Sequence, residues 1–169
     1  MERWNTYTRD GVLTDRIAIR GEGLPEGLYN LACEVLIRHR DGDYLRMKRS
    51  EKKADYAGFL EASAGGAAQI GEDKLACIRR EMREETGLVS SDFTEIAYNV
   101  DDEHRILVAS FLTVVDCDKS SVTLQEGETE GYIWVSEEKF IEFVNSGKMI
   151  DRQRARLDGY FRKIGYVKE

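Results

Sequence analysis

The stretch from Gly66 to Leu88, GAAQIGEDKLACIRREMREETGL, constrains this chain more than any other. Leu75, Ile78 and Met82 recur at i, i+3 and i+7, the spacing of an apolar helix face that packs on a sheet. Glu81, Glu84 and Glu85 stand at i, i+3 and i+4, so their carboxylates share a different face within one turn. Gly65-Gly66 precede the helix, where the chain needs unusual dihedrals or a close backbone approach. Gly87 follows the last turn, where a left-handed cap is expected.

Three like charges in one turn repel, which costs stability and raises carboxylate pKa values unless cations neutralise the cluster. All-oxygen ligands with no Cys or His beside them suit hard divalent cations, Mg2+ or Mn2+, rather than Zn2+. A backbone carbonyl at the glycines can add a ligand. Read alone, the Glu pair would describe a solvated face with Arg80 and Arg83 interleaved. The flanking glycines have no place in that reading. Arg80 and Glu84, four apart, can also pair locally.

At 169 residues the chain is one domain, long enough to bury a substantial core. A net charge of −7 argues against the phosphate-backbone footprint that a nucleic acid duplex requires, whereas a small phosphorylated substrate is compatible with metal ions in an acidic pocket. No apolar run approaches a membrane span, and MERWNTYTRD lacks the apolar core of a signal peptide, so the cytoplasm is the expected compartment. Cys33, Cys77 and Cys117 are scattered and read as buried thiols rather than as a disulfide framework or zinc site.

Taken in order, residues 2–20 predict a hairpin about Asp10-Gly11, and RGEGLPEG a loop. Leu28 to His39 and Tyr44 to Arg49, joined by Asp41-Gly42-Asp43, predict a second hairpin. Phe59-Leu60-Glu61 is a short strand feeding the glycine loop. After the helix come strands near Phe93–Val100 and Arg105–Val115, then a long acidic loop from Asp116 to Glu130 and a strand from Tyr132 to Val135. Ser136 caps a helix with Phe140, Ile141 and Val144 on its apolar face. Ile150, Leu157, Phe161 and Ile164 recur at helical spacing in a last helix crowded with Lys148, Arg152, Arg154, Arg156, Arg162 and Lys163, either a solvated face or a homodimer contact. His39 and His104 sit at turns, without partners at ligand spacing, and are expected at the surface.

Gly66, Glu72, Arg80, Glu81, Met82, Glu84, Glu85, Gly87 and Leu88 match every specified position of the Nudix hydrolase signature, and the chain resembles that family. The resemblance implies an α/β fold, a Nudix α/β/α sandwich around a mixed β-sheet. One domain would have its core at residues 28–146, a hairpin and loop at 1–27 and a C-terminal helix at 147–169. It maps Glu81, Glu85 and the Gly65 carbonyl onto metal ligands and Glu84 onto a ligand or catalytic carboxylate. Arg80 maps to the catalytic region and Glu72 to the substrate side, both holding loop and helix together through an ion pair. Glu128 is the candidate general base, although Glu126 and Glu130 are equally acidic. Arg46 and Arg49, with Arg20 and Lys48, are candidates for substrate phosphate, and Tyr29, Tyr56, Phe59 and Tyr98 for the organic group.

The implied activity is Mg2+-dependent hydrolysis of a diphosphate linkage in a nucleoside diphosphate derivative, such as a nucleotide sugar. Two other readings compete. Isopentenyl diphosphate isomerase is similar from Leu28 through Gly66 but needs a cysteine before the helix and histidines for a second metal. Here LEASAGG, Asn30 and Glu34 occupy those places. Non-catalytic Nudix ligand sensors usually lose signature carboxylates, and all four glutamates remain here.

Overall fold

A computed structural model of the chain describes residues 1–167; Lys168 and Glu169, the end of the expected 147–169 segment, lie outside the described residues. Two strands, β1 (Arg3–Tyr7) and β2 (Leu13–Ile19), form a separate antiparallel ribbon turning at Gly11, where φ is 82°. The remaining strands form one mixed sheet of seven. These are β3 (Asn30–His39), β4 (Tyr44–Arg49), β5 (Leu60–Ala62), β6 (Ala64–Ala67), β7 (Thr94–Asp101), β8 (Ile106–Val115) and β9 (Thr129–Val135). At its centre β3 and β8 run parallel, in register from Asn30 opposite Ile106 to His39 opposite Val115. Both are buried along most of their length, as parallel strands covered on two faces must be.

The helix α1 (Lys74–Thr86) covers one face, burying Cys77, Ile78 and Met82 against Cys33, Val35 and Ile37 of β3. Each of the Ile, Met and Val side chains contributes roughly 1.5–3 kcal/mol of hydrophobic stabilisation. The stripe is rotated from the expected one, since Leu75 is 39% exposed and Cys77 takes its place. Asp73 caps the helix by accepting from the Ala76 amide at 2.8 Å, and Gly87 closes it at φ 71° with its amide on the Arg83 carbonyl. The helices α2 (Glu137–Asn145) and α3 (Asp151–Lys163) cover the opposite face, packing Phe140, Phe143, Leu157 and Phe161 against Leu36 and Tyr44. The result is an α/β/α sandwich. No helix among the described residues is long and apolar enough to cross a membrane.

The expected second hairpin exists only at its tip, where Arg38 opposes Tyr44. Beyond that point β3 and β4 part, and Ser63 explains why. Its backbone is left-handed, at φ 64°, and its buried hydroxyl donates to the Leu45 carbonyl while accepting from the Ile37 amide, at 3.0 and 2.8 Å. One side chain thus satisfies a group on each parting strand, as buried backbone requires. On one side of Ser63 the chain pairs with β4 as β5; on the other it pairs with β3 as β6. Gly65 and Gly66 therefore lie in a strand, not a loop, and neither has positive φ.

Other differences are smaller. β9 begins at Thr129, so Glu130 is a strand residue. Ile164 is 36% exposed at the end of α3. Cys117 is only partly buried, unlike Cys33 and Cys77. His39 is not a surface residue: its side chain is 13% exposed, edge-on to Trp134, with Nε2 at 3.1 Å from the Cys117 carbonyl. On α3, Arg154 and Arg162 both pair with Asp158, and Arg156 reaches into the sheet, so the basic helix is less free than its composition implies.

Candidate active site

Where β6 passes under α1, the backbone approaches side chains more closely than a Cβ would permit. An added Cβ on Gly65 would lie 2.5 Å from the Cys33 carbonyl oxygen, and one on Gly66 would overlap the Glu81 carboxylate. The glycines thus serve close approach, not unusual dihedrals. That contact seats Glu81 and Glu85, the buried members of the acidic face, beside the strand.

Arg80 ties this corner together. Its Nε and Nη2 donate to Glu72 at 2.6 and 3.0 Å, its Nη1 to Glu81 at 2.6 Å and Glu84 at 3.1 Å, and its Nη2 also to the Ala67 carbonyl at 3.0 Å. Glu72 in turn accepts from the Gln69 amide at 2.8 Å. The Arg80 hydrogen bond holds the Glu72 carboxyl below its ordinary range, and Glu72 is the leading cause raising Arg80. Both residues brace the segment between β6 and α1.

Glu85 is provided for differently. It is 7% exposed, and its one hydrogen bond is from the Gly65 amide at 3.4 Å. Burial, then the charges of Glu61 and Glu81, push its pKa well above the ordinary carboxylate value. Burial likewise raises Glu81, with Arg80 opposing, and Glu61, with Arg49 opposing. Arg49 bonds Glu61 at 3.2 Å and Lys53 is ion-paired to Glu128. The neighbouring cations are thus engaged elsewhere, leaving Glu85 short of positive charge.

Two adjoining hollows meet at Gly65 and Gly66. One, of about 300 Å3, is lined by Glu81, Glu84, Glu85 and Glu128 together with Lys53, Arg80 and the N-terminal ribbon. The other, of about 280 Å3, is lined by Arg49, Glu61, Tyr56, Ile150 just before α3, and the α3 residues Arg152 and Arg156. Among the described residues no three His, Cys, Asp or Glu side chains converge into a finished metal cage. The donors nevertheless fit a hard divalent cation, being all oxygen and including the buried Glu85 carboxylate, which has no ion pair among the described residues.

Of the expected residues, the structure brings together Glu81, Glu84, Glu85, Gly65, Arg80 and Glu128, and puts Arg49 in the second hollow and Arg20 in the first. Glu128 is separated from Glu130, which turns away to the Ser50 hydroxyl and the Glu51 amide. Arg46 is not brought to the site: its guanidinium lies 3.5 Å from the Phe143 ring centroid, on the α2 face. Lys48 points to Glu51. Tyr29 bonds Asp102, Tyr98 sits under Lys74, and Phe59 packs on Tyr56. Sequence reasoning missed Glu61, Lys53, Arg156 and Trp4. Glu61 could have been found as the one acid in the strand leading to the glycines.

A further buried carboxylate, Glu34, stands at the floor of the second hollow. It accepts from the Ser110 hydroxyl at 2.7 Å, from Gln153 at 3.4 Å and from Arg156 at 3.0 and 2.6 Å. Gln153 also bonds both the amide and the carbonyl of Ala62. This network fastens α3 to the sheet.

Comparison with known proteins places this fold in a family. The NUDIX domain model matches residues 28–155. The Nudix hydrolase lin0387 of Listeria innocua is 30% identical over 151 residues, covering 89% of each chain. The MutT protein of Methanosarcina mazei is 28% identical in structure-based comparison, with a TM-score of 0.61 over 80% of this chain and 94% of that one. DR0079 from Deinococcus radiodurans shares the fold at 18% identity, with a TM-score of 0.69 over 87% and 91%. With the signature helix, its bracing arginine and the family match across most of its length, the chain belongs to the Nudix family and is a Nudix-type pyrophosphohydrolase.

Proposed function

We propose that the chain hydrolyses the diphosphate linkage of a nucleoside diphosphate derivative, such as a nucleotide sugar, with Mg2+ as its divalent ion. Nudix hydrolases generally act on such compounds with a divalent metal. The observation that carries the reading is Glu85, a buried carboxylate beside Glu61 and Glu81 with no ion pair among the described residues.

In this reading Glu81 and Glu85 hold the ion, with Glu84 and the Gly65 carbonyl completing its protein ligands. Bound Mg2+ supplies charge neutralisation at the phosphates and an acidified water. Arg80 fixes Glu81 through the bond at 2.6 Å, so the ligand face does not swing away. Glu128 lines the same hollow and takes the proton from the attacking water. Lys53, paired with Glu128, and Arg20 are positioned to meet phosphate oxygens. Arg49 is committed to Glu61 at the boundary of the second hollow, which receives the other half of the substrate.

The isomerase alternative gains no support, because Glu34 is consumed by the α3 network. The test is phosphate release, coupled to a phosphatase where needed, across nucleotide sugars, dinucleoside polyphosphates, nucleoside triphosphates and prenyl diphosphates, with Mg2+ and with EDTA. Turnover of a nucleoside diphosphate derivative that EDTA abolishes is expected. Turnover that survives exhaustive chelation, or that is confined to prenyl diphosphates, would overturn the reading.

A further inference from the structure

The N-terminal ribbon lies outside the matched residues 28–155, yet it forms part of the catalytic hollow. Glu2, just before β1, and Trp4, its second residue, are two apart and lie on one face of the extended chain. Together with Arg20, just past β2, they line the hollow that holds Glu81 and Glu85. The three are tied to one another. The Glu2 carboxylate accepts from Trp4 Nε1 at 2.9 Å on one oxygen and from Arg20 at 2.8 Å on the other, and the Arg20 amide donates to the Glu2 carbonyl at 3.0 Å.

The ribbon is also fastened to the core at several points. Tyr7 and Tyr29 exchange backbone hydrogen bonds at 2.8 and 2.9 Å, and the Ile70 amide, just before α1, donates to the Arg3 carbonyl at 2.9 Å. Arg9 grips Asp102 with two bonds, at 2.8 and 2.7 Å, and Tyr29 donates to the same carboxylate. Trp4 is therefore held in place rather than carried on a loose arm.

Among the described residues no aromatic ring or cation lies against the face of the Trp4 indole, and the side chain is only partly buried. Trp134, by contrast, meets His39 edge-on, has Lys119 near its ring and is packed against the main core. A tethered aromatic side chain in a hollow whose other lining, apart from Gly65, Gly66 and Ala67, is charged and amide side chains matches a planar heteroaromatic ring linked to phosphates, which stacks on the indole while its phosphates meet cations.

Resting on the proposed hydrolysis of a nucleoside diphosphate derivative, we propose that Trp4 stacks the nucleoside base, making the N-terminal ribbon the element that selects nucleotides over diphosphates lacking an aromatic ring. The base lies on the ribbon side of Gly65 and Gly66, and the group beyond the diphosphate occupies the hollow formed with α3. Stacking binds ground state and transition state alike, so its loss appears in KM rather than kcat.

Trp4 and Trp134 are the only tryptophans, which makes the test spectroscopic as well as kinetic. In Trp134→Phe protein with Mg2+, α,β-methylene adenosine diphosphate is titrated while fluorescence is read, and methylene diphosphonate serves as the base-free control. The nucleotide analogue is expected to quench Trp4 saturably and the diphosphonate to leave it unchanged. Should Trp134→Phe fail to fold, subtracting the Trp4→Phe signal from wild type gives the same readout. Trp4→Ala is expected to raise KM for the nucleoside substrate about tenfold with kcat within about twofold, and Trp4→Phe to restore most of the loss. An analogue that inhibits turnover without quenching Trp4, or a Trp4→Ala enzyme with wild-type KM, overturns the assignment while the proposed hydrolysis stands. Absence of turnover on every nucleoside diphosphate derivative removes both.

Discussion

Glu34 and Glu85 are equally deep, each 7% exposed, and their surroundings could hardly differ more. Glu34 receives two bonds from Arg156, one from Ser110 and one from Gln153. Glu85 receives one long bond from a backbone amide and faces Glu61 and Glu81. Taking an ion out of water costs several kcal/mol, which excellent geometry and further hydrogen bonds offset at Glu34. At Glu85 no cation among the described residues offsets it, and buried carboxylates perturbed in this way cluster at functional sites. Depth alone does not separate a structural carboxylate from a functional one. The partners do.

The largest expected effect is on stability, at the satisfied member. Glu34→Gln leaves Arg156 facing a neutral amide, and removing one partner of a buried pair costs about 3–5 kcal/mol. Because the Arg156 side chain is 24% exposed, the lower end, about 3 kcal/mol, is expected from urea midpoints at unchanged slope. A loss under about 1 kcal/mol would break the comparison.

Glu85→Gln should do the reverse. It is nearly isosteric and removes an unpaired buried charge, so stability in EDTA is expected to hold or rise. Turnover should fall roughly a hundredfold or more, since metal contributions are worth several kcal/mol and each 1.36 kcal/mol is tenfold in rate. Glu128→Gln should also slow turnover while leaving Mg2+ affinity closer to wild type. Equal rates for Glu85→Gln and wild type at saturating Mg2+ would show that α1 does not carry the metal site.

The comparison sharpens further through linkage. With Mg2+ at ten times its Kd, one-site binding to the folded state alone adds about 1.4 kcal/mol. That increment, read as the difference between urea midpoints in Mg2+ and in EDTA, should persist in Glu34→Gln and vanish in Glu85→Gln. An increment surviving in Glu85→Gln would place the cation elsewhere.

What was legible in the sequence follows from which contacts are local. A helical period fixes Glu81, Glu84 and Glu85 on one face and puts Arg80 within reach of Glu84, so this much of the site could be read directly. Lys53 and Trp4 reach the first hollow, and Glu61 the second, by pairings across long stretches of chain, which no spacing reveals. Arg46 was misplaced because β4, YLRMKR, is buried on both faces at its start, leaving no alternation to show which face the arginine takes. The splitting of the second hairpin turns on one left-handed, non-glycine residue, Ser63, whose conformation its type does not announce. The layered fold was legible from the apolar stripes of the three helices. The exposure of Leu75 shows how far such a stripe can rotate while the architecture holds.

Glu130 supplies the smallest effect and a comparison within one segment of chain. Sequence alone could not rank it against Glu128, two residues earlier. In the structure Glu130 accepts from the Ser50 hydroxyl at 2.9 Å and the Glu51 amide at 3.0 Å, whereas Glu128 lines the hollow that holds Glu81 and Glu85. The Glu51 amide, followed by the Ser50 hydroxyl, holds the Glu130 carboxyl below the ordinary glutamate value. A pKa lowered by folding means that the charged form favours the folded state. The contribution is therefore complete above the ordinary glutamate value and is lost as pH falls through the lowered one. Glu130→Gln, which resembles the protonated acid, should be slightly less stable than wild type at neutral pH, with the gap in urea midpoint closing in acid. Its turnover should stay near wild type at neutral pH. A rate loss matching that of Glu128→Gln would mean that the partners of Glu130 do not mark it as structural, and would transfer the role of base to the carboxylate that the fold has already satisfied.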